Sequence, residues 1–157
     1  DRRERLNDPS GALMAAFAGL QAGIWTGFPA QVNRVNVSGG KLVSLDLQPV
    51  IQARRMLQDD SYSWETLPVL LDCPVIWPQA GDFALTFPVK AGDEVFCLIA
   101  NRCIDYWFEA GGIRTQYDLR MHDLSDGFAL LGVSSKPASL YLLVCPGHAV
   151  CVAMIAR

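Results

Sequence analysis

The spacing of apolar and polar positions changes period along the chain. Leu13, Phe17, Leu20 and Ile24 follow one another at intervals of 4, 3 and 4, which puts them on one stripe of a helix. Asp8-Pro9-Ser10 ahead of them supplies a capping side chain and a proline whose missing N–H is harmless in a first helical turn. Ala15, Ala16, Ala18 and Ala22 fill the other faces, and such small side chains suit close packing. The stripe serves either to cover its own domain or to dock on a neighbouring subunit.

From Phe28 onward the period is two. Val35 and Val37 alternate with Arg34 and Asn36, and Ser38-Gly39-Gly40-Lys41 is the signature of a two-residue hairpin turn with positive φ. On the return strand Val43, Leu45 and Leu47 are expected inward, with Ser44, Asp46 and Gln48 outward. A third strand is predicted over 64–76. There Leu67, Val69, Leu71, Cys73, Val75 and Trp77 share one parity, and Pro68, Pro74 and Pro78 share the other. Prolines on one side suit an edge strand or a bulged barrel strand. Further strands are expected at 83–87, 94–104 and 127–133.

The fold this predicts is mainly β: a small antiparallel barrel of the OB type, or less readily a sandwich, with an N-terminal α-helix. Ser134-Ser135-Lys136-Pro137 reads as a linker, and residues 139–155 as a C-terminal β-hairpin stub turning at Pro146-Gly147. Leu140, Leu142, Leu143, Val144, Val150, Val152, Met154 and Ile155 make that hairpin apolar on both faces. A lone hairpin cannot cover both, so a second subunit is expected to. The expected divisions are 1–27, 28–133 and 134–157. The expected subunit contacts are Leu13, Phe17, Leu20 and Ile24 at one end, and Leu140, Leu142, Val150 and Val152 at the other.

Composition narrows the function classes. With 157 residues, half of them hydrophobic and 18% charged, the chain can build an ordered core. The net charge of −3 comes without a basic stripe, which argues against nucleic acid as a partner. No apolar run approaches a membrane-spanning length, and no signal-peptide series opens the sequence. Five cysteines is an odd count, so buried free thiols in a chain assembled in a reducing cytoplasm are expected rather than a disulfide framework.

Candidate chemistry is sparse, because there are only two histidines. His122 lies beside Asp123, Leu124, Ser125, Asp126, Gly127 and Phe128. Adjacent Ser, His and Asp do not build a catalytic triad, whose members converge from separate segments. The expectation is a capped turn, with Asp123, Ser125 and Asp126 bonding their own backbone and His122 as a hydrogen-bonding buttress. Cys145, His148 and Cys151 are metal-ligand types at close spacing, but they make three ligands where zinc takes four. They stay weak metal candidates, and a three-fold assembly could also bring three copies of His148 to its axis and hold an ion there. Asp93, Glu94, Asp105, Glu109 and Asp118 are expected to be solvated. There is no GxGxxG after a strand, no Walker loop and no GxSxG, so no enzyme and no cofactor are expected.

Several pieces together resemble a known family. They are Leu67-Pro68-Val69-Leu70, Cys73-Pro74-Val75, the stretch from Gly81-Asp82-Phe83 to Pro88-Val89, and Gly92-Asp93-Glu94-Val95. Asn101-Arg102-Cys103-Ile104-Asp105-Tyr106-Trp107, Gly111-Gly112 and the run from Arg120-Met121-His122 to Gly127-Phe128-Ala129 complete the set. In order and spacing, over roughly 28 to 133, they resemble the N-terminal OB-fold domain of phage baseplate central spike proteins, the membrane-piercing needles of contractile tails. The resemblance implies a homotrimer on the tail axis whose barrels form a collar on the hub protein, a virion location in the tail baseplate, and contact with the host envelope. It also implies a β-helical needle, sometimes ending in a His-x-His tip that holds iron. Only 24 residues follow Val133 and none form His-x-His, so a short trimeric stub, or a tip supplied by a separate protein, is expected instead. The competing expectation is an OB-fold module for single-stranded nucleic acid or oligosaccharide, with Trp64, Trp77, Tyr106, Trp107 and Phe108 as stacking groups.

Overall fold

A computed structural model describes residues 9–57, 59 and 61–138. The 139–155 hairpin, with Leu140, Leu142, Cys145, His148, Val150, Cys151 and Val152, lies outside the described residues, as does Asp8.

Helix α1 spans Pro9–Ala22. It ends in a tightened turn in which the Gly23 and Ile24 N–H groups reach the Leu20 and Gln21 carbonyls, so Ile24 stands beyond the helix rather than on its stripe. Strands β1 (Gly27–Ser38) and β2 (Lys41–Pro49) form the predicted hairpin. Ser38 pairs with Lys41, and Gly39 and Gly40 take φ of 57° and 76° between them, a two-residue turn that glycine adopts without strain.

Short ladders follow: β3 (Ala53–Met56) with β4 (Tyr62–Glu65), and, after β5 (Leu70–Ile76), β6 (Gln79–Ala80) with β7 (Phe83–Ala84). Strand β8 (Glu94–Ile99), helix α2 (Asp105–Ala110), a 3₁₀ turn at Leu124–Asp126 and strand β9 (Gly127–Leu130) complete the domain. A last 3₁₀ turn covers Lys136–Ala138.

Five strands close into a barrel in the order β1-β2-β5-β9-β8. Its interior takes Phe28, Ala30 and Val32 from β1, Leu45 and Leu47 from β2, Leu70 and Cys73 from β5, Val95, Cys97 and Ile99 from β8, and Ala129 from β9. Burial of one such Leu or Val side chain is worth roughly 1.5–3 kcal/mol, so this set is the main source of stability. Gly127 is required where it stands. A Cβ there would lie 2.9 Å from the Cys97 sulfur and 3.3 Å from that of Cys73.

The barrel corrects several sequence expectations. It is not wholly antiparallel, because β9 inserts between β5 and β8 and runs parallel to β5. On β2, Val43 is exposed, while Ser44 and Asp46, expected to be wet, are buried. On β5, Leu71 is exposed and Leu70 takes its place inside. The reason is Asp72, which adopts φ of 54° beside a register shift between Leu45 and Leu47, a bulge that reverses the alternation. Pro74 is buried in the barrel wall opposite Ser44, so the bulged-strand alternative holds and the edge alternative does not.

The strand predicted over 94–104 stops at Ile99, and the Tyr106-Trp107-Phe108 cluster lies on α2. That helix is stopped at Gly111, whose φ is 62° and whose N–H bonds the Trp107 carbonyl. The expected strand at 83–87 shrinks to Phe83–Ala84, and that at 127–133 to Gly127–Leu130.

Candidate functional site

Two polar clusters and one apolar surface are candidates for function. The first cluster centres on Asp126, which is fully buried at the end of the Leu124–Asp126 turn. Arg120 grips it with two bonds, Nε to Oδ2 at 2.8 Å and an Nη to Oδ1 at 2.9 Å, and the same Nη reaches Asp105 Oδ1 at 2.9 Å. The Ile104 N–H donates to Asp126 Oδ1 at 3.0 Å, and the Ala100 N–H to the Asp126 carbonyl at 2.9 Å. Asp126 therefore fastens the end of β8 and the start of α2 to the loop before β9. These bonds to Asp126, with those to Asp105 behind them, hold the Arg120 guanidinium protonated, its pKa pushed up despite partial burial.

Asp123 performs the local part of the expected capping. Its carboxylate accepts from the Ser125 N–H at 2.9 Å, which holds its pKa below the usual carboxylate range. His122 has φ of 51°, and its Nδ1 lies 3.2 Å from the Trp25 carbonyl, while the Trp25 N–H donates to the His122 carbonyl at 3.3 Å. The buttress therefore ties the loop to the junction between α1 and β1. Trp25 in turn meets Phe28 edge-on at 5.9 Å, and Phe128 lies 5.7 Å from Trp107.

The expected turn chemistry is present, but Asp126 bonds remote backbone rather than its own. Asp105, expected to be solvated, is ion-paired. Sequence reasoning missed Arg120, whose partners lie 6 and 15 residues away and share no local pattern.

Among the described residues, Cys103, Asp105 and Asp126 bring potential metal-ligand atoms within 4.8 Å of one another. Both carboxylates are already committed to the Arg120 guanidinium, which supplies the positive charge there. Deeper in the barrel, the Cys73 thiol donates to the Leu71 carbonyl at 3.9 Å, and the neighbouring Cys97 thiol together with burial pushes its pKa up. It stays protonated and unreactive, as expected of a structural core thiol.

The second cluster lies on the outer side of the bulged wall. Asp46 Oδ1 accepts from Asn36 Nδ2 at 2.8 Å and the Asp72 N–H at 3.1 Å, and its Oδ2 accepts from Arg34 Nε at 2.8 Å. Asp72 Oδ1 accepts in turn from Ser44 Oγ at 3.0 Å and Asn36 Nδ2 at 3.1 Å. Burial raises the Asp46 pKa, but Asn36, the Asp72 amide and Arg34 together outweigh it and leave the carboxyl below its usual range. No buried side-chain nitrogen or oxygen among the described residues lacks a partner. Both clusters hold backbone in place.

The apolar surface is of a different kind. Leu13, Phe17 and Leu20 are 57%, 53% and 67% exposed, and Ile24 beyond the helix is 50% exposed. Among the described residues nothing covers this stripe. Phe83, Ile113 and Leu119 are also exposed.

A closed five-stranded barrel preceded by an α-helix defines a small, mainly β barrel domain. The model of the family described as the phage protein Gp138 N-terminal domain matches residues 29–132, and the chain belongs to that family. It is a phage protein, and the family points to a structural, virion-associated one. The matched stretch is the barrel itself, and agrees with the span of the resemblance drawn from the motifs. No curated protein matches the chain.

Proposed function

We propose that this chain is a component of a phage tail baseplate: the central spike, or the base of that spike, attached to the hub as a homotrimer. Its work is mechanical rather than catalytic. Sheath contraction drives the spike into the host envelope, and the barrels transmit the load. The observation that carries this reading is the helix α1, whose apolar residues remain exposed although the barrel has a complete core of its own. In a trimer such a helix finds cover on a neighbouring copy or on the hub. The barrel order, with its one parallel pair, supports the OB-type assignment. No metal is needed for this role, and an axial ion or a separate tip protein would complete the spike beyond the barrel.

The competing reading, a module for single-stranded nucleic acid or oligosaccharide, is disfavoured by one feature. OB-fold binders use the face of their second and third strands. Here those are β2 and β5, and that wall carries Asp46 and Asp72 with only Arg34 in direct support.

Light scattering across a wide concentration range tests the proposal. A trimer is expected, and a change of Phe17→Glu with Leu20→Glu should shift it to monomer with the barrel still folded by circular dichroism. A strictly monomeric wild-type chain that shifts an oligonucleotide in a gel would overturn the proposal in favour of the binding module.

A further inference from the structure

After β9 the chain leaves the barrel as a strap, residues 131–138, ending in the Lys136–Ala138 turn. The strap is held by polar contacts. Ser135 Oγ donates to Glu94 Oε1 at 2.7 Å, and the Ser135 backbone N–H donates to the other carboxylate oxygen. The Ala138 N–H returns to the Ser135 carbonyl at 3.0 Å and closes the turn. Glu94 thus supplies, from another strand, the carboxylate that caps this turn.

The other side of the latch is firmly based. Glu94 opens β8, and Val95 after it is fully buried in the core. Asp93 before it accepts from the Val32 N–H at 2.9 Å, and Gly92 donates to the Val32 carbonyl at 2.8 Å. Two open hollows flank the strap. A hollow of about 430 Å³ with Phe87 and Leu131 in its wall, and a second of about 350 Å³ with Pro29, Val50 and Phe96, share Glu94, Val133 and Ser134. Apolar contact fixes only the start of the strap, where Leu131 packs against the core, and residues 132–137 are exposed.

We propose that Glu94 is a latch: it fixes the path by which the chain leaves the barrel, and its release frees the strap without opening the barrel. With the strap lifted, the two hollows merge into one apolar groove beside β1 and β8. The device follows from the barrel and its strap alone, and holds whether or not the chain sits in a baseplate.

Hydrogen exchange by mass spectrometry on the full chain tests it, comparing wild type with Glu94→Ala and Ser135→Ala. Losing the charged acceptor removes both bonds, and peptides covering 132–138 should exchange roughly tenfold faster in Glu94→Ala. Ser135→Ala keeps the amide bond and should accelerate them only about threefold. Peptides from β1 and β2 should be unchanged in both. Unchanged strap exchange in Glu94→Ala overturns the proposal, and so does acceleration of strap and barrel together. If Glu94→Ala fails to fold, Ser135→Ala decides: faster strap exchange over a quiet barrel supports the latch, and no change removes it.

Discussion

Asp46 and Asp126 are both buried carboxylates, yet they are held by different means. Asp46 lies in a wall where β1, β2 and β5 meet, and most of its bonds come from neutral groups on neighbouring strands: the Asn36 amide and the Asp72 N–H. Its one cationic partner, Arg34, is 68% exposed at the side chain. Asp126 instead takes a two-pronged grip from a guanidinium that is only 20% exposed, plus an N–H from the start of α2. The first carboxylate seals a strand irregularity, and neighbouring strands would still pair without it. The second joins β8, α2 and the loop before β9. A buried charge matters most where it connects segments distant in sequence.

This contrast can be tested in graded steps. The largest effect is expected from Asp126→Asn, which leaves Arg120 with half its partners in a largely dry site. About 3 kcal/mol of stability should be lost, a fall of about 6–12 °C in Tm by calorimetry. A loss below about 1 kcal/mol would mean that the loop is anchored elsewhere. Asp46→Asn is expected to lose about 1–2 kcal/mol at pH 7, because its neutral partners are retained in part.

The Asp46 loss should also depend on pH. The folded-state pKa of Asp46 lies below its ordinary 3.8, so its contribution is present above that value and fades as pH falls through the folded pKa. Urea midpoints of wild type and Asp46→Asn should accordingly converge in acid, below about pH 4. An equal gap at pH 7 and pH 2.5 would show that the charge is not what matters. The smallest effect belongs to Arg34→Ala. An exposed partner is worth at most about 1 kcal/mol, and the difference should shrink in high salt.

The same pair of sites shows what was legible in the sequence. The hairpin at Gly39-Gly40, the inward Leu45 and Leu47, and the capped turn after His122 follow from local rules of period and turn chemistry. So does the barrel as a fold class. What could not be read locally was the bulge at Asp72, where one residue in a left-handed conformation reverses the inward set from Leu71 to Leu70. Nothing in the alternation marks it, because its stabilising partners, Asn36 and Ser44, lie 36 and 28 residues away. Helix α2 was hidden for a related reason. It has six residues, too few for a period to show, and it is started by contacts to Asp126 and Arg120 from far along the chain. The helix stripe was legible as a stripe, but its exposure depends on where the barrel core is complete, a property of the whole domain.

The insertion of β9 between β5 and β8 has a consequence for how the protein is made. Strand β5 is complete at Ile76, but its second neighbour is complete only at Leu130. At a synthesis rate of about 5–20 residues per second, β5 waits roughly 3–10 seconds with one side unpaired. Strand β8 waits on the same four residues. During that interval the nascent chain offers two sticky β-edges, the kind of template on which chains aggregate. The bulge at Asp72, with Pro74 after it, makes the β5 edge a poor template. The irregularities that hide this strand from a periodic reading thus protect it before the barrel can close.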